Sequence, residues 1–184
     1  MWGTSDTTVK FCEKKYARYY WIAEYHNTVS ALCYMVVGFT LMRTRLKFLG
    51  WLTCLLSVCT MLLHGTLRHL SQMGDEMSML LVSFYTLVEL RPATSKYLIY
   101  PILMCYCALN RFFLCFLCMF VVLQFLIFLN VRKNKWIILS AISATVASFC
   151  WVMDQLCITE EYQMHAWWHF FTALGMGIGY IGIL

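Results

Sequence analysis

The 184-residue chain is 61% apolar and 12% charged, with a mean hydropathy of +0.68. Soluble domains use about 45–50% apolar and about 25% charged residues, so an ordinary soluble domain is excluded. The net charge of +5 comes from 14 Lys and Arg residues in short clusters between apolar runs, which argues against nucleic acid as a partner and for charge at membrane edges.

Residues 1–24 form a polar amino-terminal segment, and Met1 to Lys15 lacks the apolar core of a signal peptide. Apolar runs then follow at about 25–42, 48–67, 76–90, 97–109, 112–131, 136–156 and 164–184, each read as a membrane helix against the roughly 20 residues that a crossing takes. Residues 97–131 are nearly continuous. As one helix they would measure about 52 Å against a hydrocarbon core of about 30 Å, so the run is divided at Asn110. The expected fold is all-α, a single domain over 1–184 forming a compact bundle of seven transmembrane helices. A monomer is expected.

The loops after the first, third and fifth spans carry Arg43, Arg45, Lys47, Arg91, Lys96, Arg132, Lys133 and Lys135. The opposite loops carry Arg68 and Arg111, apart from Lys10, Lys14, Lys15 and Arg18 in the amino-terminal segment. The positive-inside rule then gives a lumenal amino terminus and a cytosolic carboxyl terminus. Most of the ten cysteines lie inside apolar runs and read as small buried hydrophobes. Cys12 and Cys157 differ, since each lies in a polar stretch at the edge of an apolar segment.

Ionisable groups inside membrane spans are costly and mark function by default. Thr60 and His64 end the second span one helical turn apart, Asp75 and Glu76 start the third, and His165 and His169 start the seventh at i and i+4. Two imidazoles one turn apart can share a metal, and a third from another helix completes the three-ligand site with an open position that catalytic zinc uses. Four crossings separate His64 from His165, which returns them to one membrane face only if the chain divides at Asn110. The alternative for such a histidine pair is an interfacial feature beside belt residues such as Trp167 and Trp168. His26 and His69 are read as interfacial.

Several stretches resemble the alkaline ceramidases in order and over nearly the whole chain. They are Phe11-Cys12-Glu13, Tyr20 to Ser30, His64-Gly65-Thr66-Leu67, Gln72 to Met77, Phe149-Cys150-Trp151 with Asp154 and Cys157, and His165-Ala166-Trp167-Trp168-His169. The resemblance implies a seven-helix zinc amidase of the endoplasmic reticulum, Golgi or a related endomembrane, cleaving ceramide to sphingosine and a fatty acid. It implies His64, His165 and His169 as zinc ligands and Asp75 beside the metal-bound water. Thr60 stands where the family has a serine, and is expected to donate to the developing oxyanion. The family's calcium loop is matched at Glu13 and Glu24, but Lys10 and Lys15 occupy two of its positions. Two ammonium groups repel calcium, so calcium is expected to be absent and a lysine to pair with Glu13 or Glu24. Cys12 and Cys157 align with the family and lie on the face read as lumenal, where thiols oxidise, so a disulfide is expected between them. The rival readings are a related lipid hydrolase of the same superfamily and a non-catalytic, receptor-like protein that binds sphingolipid. A retinal protein is disfavoured because the seventh span has no lysine for a Schiff base.

Overall fold

The computed structural model describes residues 2–158 and 161–184, whose regular elements are helices, with one isolated bridge between Tyr19 and Ile22 in the amino-terminal segment. The helices are α1 (Tyr25–Ser30), α2 (Leu32–Leu41), α3 (Lys47–Thr66), α4 (His69–Leu90), α5 (Ile99–Leu109), α6 (Phe113–Asn130), α7 (Lys135–Gln155) and α8 (Met164–Ile183). A single residue, Ala31, separates α1 from α2, so the described helices form seven rods. Local chemistry sets several ends. Pro92 forces Arg91 out of the helical region and stops α4. Asn134 caps α7 by accepting from the backbone N–H groups of Trp136 and Ile137. The division expected at Asn110 is present, because α5 stops at Leu109 and α6 starts at Phe113.

Two expectations need correction. The helix of the third expected span, α4, starts at His69 rather than near residue 76, so Asp75 lies in its second turn and not at its end. Gln72, Asp75 and Glu76 depress the local hydropathy, yet all three are buried and bonded; Glu76 accepts from Gln72 Nε2 at 2.6 Å and from the Tyr106 hydroxyl at 2.7 Å. Among the described residues, three helices rather than seven are long and apolar enough to cross a membrane: α3, α6 and α7. The others fall short for separate reasons. α1, α2 and α5 have 6, 10 and 11 residues, while α4 and α8 are long enough but carry buried polar groups, His69, Gln72, Asp75 and Glu76 in the one and His165 and His169 in the other.

α3 is the centre of the bundle, with α2 and α4 beside it. α8 packs on α1, α2 and α7, and α5 and α6 join through α4. One apolar core fills the α4–α5–α6 side with Leu80, Phe84, Tyr106, Phe116 and Leu123, and another joins Tyr34, Leu56, Val82 and Ala173 between α2, α3, α4 and α8. α2 and α3 approach closely where Gly38 meets Gly50: a Cβ on Gly50 would lie 2.7 Å from the Met42 nitrogen and 2.8 Å from the Gly38 carbonyl oxygen.

The amino-terminal segment is a strap laid over one end of the bundle. Asp6 accepts from the His69 backbone N–H at 2.6 Å and pairs with Arg68, contacts that hold its carboxyl below the ordinary value. Thr8 and Gln72 exchange two hydrogen bonds, and a disulfide joins Cys12 to Cys157 at the end of α7. The strap then returns along α3 through Ala23 N–H to Gly65 O and Glu24 N–H to His64 O, both 3.0 Å.

Candidate metal centre

Under this strap the last turn of α3 meets the first two turns of α8. His64 lies in the last turn of α3, which closes on Leu67 in the left-handed region at φ 52°. His165 and His169 share a face of α8 at i and i+4. The three rings converge, with centroids 4.9 Å (His64 to His165), 5.0 Å (His64 to His169) and 4.7 Å (His165 to His169) apart. One candidate ligand atom from each lies within 4.8 Å of the others, and all three residues are buried. The cluster expected from the sequence is thus assembled.

Each imidazole has an outer partner from a different element. His64 Nδ1 lies 2.7 Å from Glu24 Oε2, His169 Nδ1 lies 2.8 Å from the Ser30 hydroxyl, and His165 Nδ1 lies 3.3 Å from Asp154 Oδ2. A carboxylate or hydroxyl on one ring nitrogen fixes the tautomer and leaves the other, Nε2, for a metal. The donor set therefore fits a divalent ion such as zinc: three imidazole nitrogens, two adjacent carboxylates, and no lysine or arginine among the candidate ligands. The Phe11 ring covers the cluster, 4.6 Å from both His64 and His165, and Tyr34 stands 5.8 Å from His169.

One turn before His64 on α3, the Thr60 hydroxyl meets Asp75 Oδ1 at 2.5 Å and the Leu56 carbonyl at 2.8 Å. Both residues are buried. A hydroxyl has one proton, and these two acceptors already take it. Thr60 thus faces Asp75 rather than standing as a free donor.

Glu13 and Glu24 are both buried and occupied. Glu13 accepts from the backbone N–H groups of His26 (2.7 Å) and Asn27 (2.9 Å), capping α1 from a distance in sequence. Glu24 accepts from Asn27 Nδ2 at 3.1 Å and His64 Nδ1, and its Oε1 lies 2.7 Å from Lys15 Nζ. Burial pushes the Glu24 carboxyl up, but the His64 hydrogen bond and the charges of His64 and Lys15 outweigh it and leave the group below its ordinary value. Lys15 is thus the lysine that pairs; Lys10 is exposed. His26 is exposed, whereas His69, expected at an interface, is buried with Nε2 2.8 Å from Asn110 Oδ1. Sequence reasoning gave no role to Ser30, Asp154 or Phe11. Asp154 carried a signal, as an ionisable residue within an apolar run; Ser30 and Phe11 were marked only by lying in stretches that resemble the family.

These features define an all-helical bundle with a three-histidine centre able to hold a metal, closed by a disulfide-tethered strap. A family model described as Ceramidase matches residues 3–184. The chain belongs to the ceramidase family. An alkaline ceramidase of Arabidopsis thaliana is 27% identical over 208 aligned residues, which cover 94% of this chain and 80% of that protein.

Proposed function

We propose that the protein is a zinc-dependent intramembrane amidase that hydrolyses ceramide to sphingosine and a free fatty acid. The observation that carries this reading is the buried triad of His64, His165 and His169, with His64 and His169 hydrogen-bonded at Nδ1 to Glu24 and Ser30 and His165 Nδ1 3.3 Å from the Asp154 carboxylate, in a chain of the ceramidase family. The seven rods each cross or enter the bilayer, with the strap on the lumenal side and the carboxyl terminus in the cytosol of an endoplasmic reticulum, Golgi or related membrane. The charge asymmetry of the loops and the Cys12–Cys157 bond both support that orientation. Apolar side chains exposed along α6, including Val121, Val122, Phe125, Phe128 and Leu129, suit contact with lipid tails.

A zinc ion bound by the three histidines would polarise the amide carbonyl and supply an activated water at neutral pH. Glu24, Ser30 and Asp154 hold the three imidazoles in the required tautomer and orientation. Asp75 takes the proton that the attacking water gives up and returns it to the amide nitrogen as the C–N bond breaks, which releases the sphingoid amine and the fatty acid. Thr60, with its proton directed at Asp75, fixes that carboxylate. The oxyanion role expected for Thr60 would require its hydroxyl to leave both present acceptors.

The test is release of fatty acid from labelled ceramide by purified full-length protein in detergent micelles, with a chelator control and zinc content measured in parallel. One zinc per chain and chelator-sensitive turnover are expected, with His165→Ala or His169→Ala losing both. Equal zinc in wild type and both variants would refute the centre. Stoichiometric zinc without turnover would instead favour a non-catalytic sphingolipid-binding protein.

A further inference from the structure

The mechanism above leaves one charged group unused, although it stands a single residue away from the metal ligands. Lys15 Nζ donates to the carbonyl oxygens of Phe11 at 2.5 Å and Glu13 at 3.0 Å, and pairs with Glu24 Oε1 at 2.7 Å. Three oxygens, two of them backbone carbonyls of the tight loop 11–13, thus surround one ammonium. The other oxygen of the same carboxylate, Oε2, meets His64 Nδ1 at 2.7 Å. Glu24 is fully buried, and Lys15 is the partner of its Oε1 among the described residues.

We infer that Lys15 is a positioning residue for the metal centre: its tethered ammonium holds Glu24 in place so that Oε2 orients His64 for metal binding. This rests on the zinc reading and deepens it. The geometry gives the reason. Oε2 is shared between Asn27 Nδ2 and His64 Nδ1, whereas Oε1 has the lysine. Without the ammonium, a buried carboxylate oxygen would lack its charge partner, and the group would rotate towards other donors. The same ammonium also draws in the Phe11 carbonyl, and the Phe11 ring lies 4.6 Å from His64 and His165. One side chain therefore fixes both an outer partner of a ligand and the loop covering the site. Lys14, next in sequence, is exposed and serves as the control.

Zinc affinity of the full-length protein is measured by competition with a chromophoric chelator, beside the visible spectrum of the cobalt-substituted protein, which reports ligand geometry directly. Lys15→Met is expected to weaken zinc binding about 10- to 100-fold, the usual effect of losing an outer partner of a ligand, and to alter the cobalt spectrum. Lys15→Arg, which keeps the charge, should retain the wild-type spectrum, and Lys14→Met should change neither readout. Should Lys15→Met fail to fold, Lys15→Gln, which keeps an N–H donor for the carbonyls but no charge, is expected to show the same weakening. Wild-type zinc binding with affinity and spectrum unchanged in the charge-removing variants would overturn the role of Lys15 alone. Absence of zinc from the wild type would overturn the metal centre itself.

Discussion

Asp75→Asn separates proton transfer from metal binding. The carboxyl is buried in the second turn of α4 and accepts from Thr60 at 2.5 Å. Asparagine has nearly the same shape, and its Oδ1 can still accept that hydrogen bond, so packing between α3 and α4 is preserved. What is lost is a group that can take and return a proton. General acid–base catalysis contributes about 10²–10⁴-fold, so turnover should fall by that factor, a rise of about 3–5 kcal/mol in the barrier at about 1.4 kcal/mol per tenfold. Zinc content should remain at the wild-type value, because Asp75 is outside the histidine triad. The assay is fatty-acid release from labelled ceramide with zinc quantified on the same sample. Turnover within threefold of wild type would refute the proton-transfer role, and loss of zinc would show that Asp75 acts on the metal instead.

Three further outcomes follow from the strap and the helix contacts. Because the Lys15 ammonium already fills the oxygen cluster formed by Phe11, Glu13 and Glu24, activity and melting temperature should be insensitive to added calcium and to a calcium-selective chelator; a clear calcium-dependent stabilisation would refute this. Cys12 and Cys157 should resist alkylation until reduced, and Cys12→Ser should leave Cys157 reactive and lower stability by about 2–4 kcal/mol, given the long loop that the bond closes; ready labelling without reductant would exclude the bridge in solution. Gly50→Ala should destabilise the protein by about 1–3 kcal/mol in thermal or denaturant unfolding, since the new methyl meets backbone of α2 that cannot move aside as a side chain could; unchanged unfolding would mean that the two helices separate freely.

The helical segments were legible because each apolar run has the length of a helix and is bounded by charge, proline or asparagine. The boundary that failed, at the start of α4, failed for a reason tied to function. Gln72, Asp75 and Glu76 read as a polar edge when scored singly, but they are buried because each has a partner brought from elsewhere: Thr8 from the strap, Thr60 from α3 and Tyr106 from α5. His69 was misread in the same way, since its partner Asn110 is 41 residues distant. The three histidines were legible from spacing and topology. Their outer partners were not, because Ser30 reaches His169 across 139 positions and carries no mark of its own. A serine on an apolar helix reads as packing until the partner is known.

The same reasoning explains why α4 and α8, though long enough, do not pass as membrane spans by composition. Ionisable groups in a lipid-embedded bundle are tolerable only where they face the interior and are paired. α4 and α8 hold most of the buried ones, and these face inward: Asp75 accepts from Thr60, Glu76 from Tyr106, His169 meets Ser30, and His165 lies 3.3 Å from Asp154. α6 carries none, and 11% of its apolar window is buried against 56% for α3. Helix α6, with the highest hydropathy and the least burial among α3, α6 and α7, is the one of them that carries no group of the centre, whereas α3 is apolar enough to span and still supplies Thr60 and His64 from its buried face. A charge introduced at an exposed position of α6, such as Val121→Asp, would meet lipid with no inward partner, whereas the far more polar surface of α4 is stable because its partners are already in place.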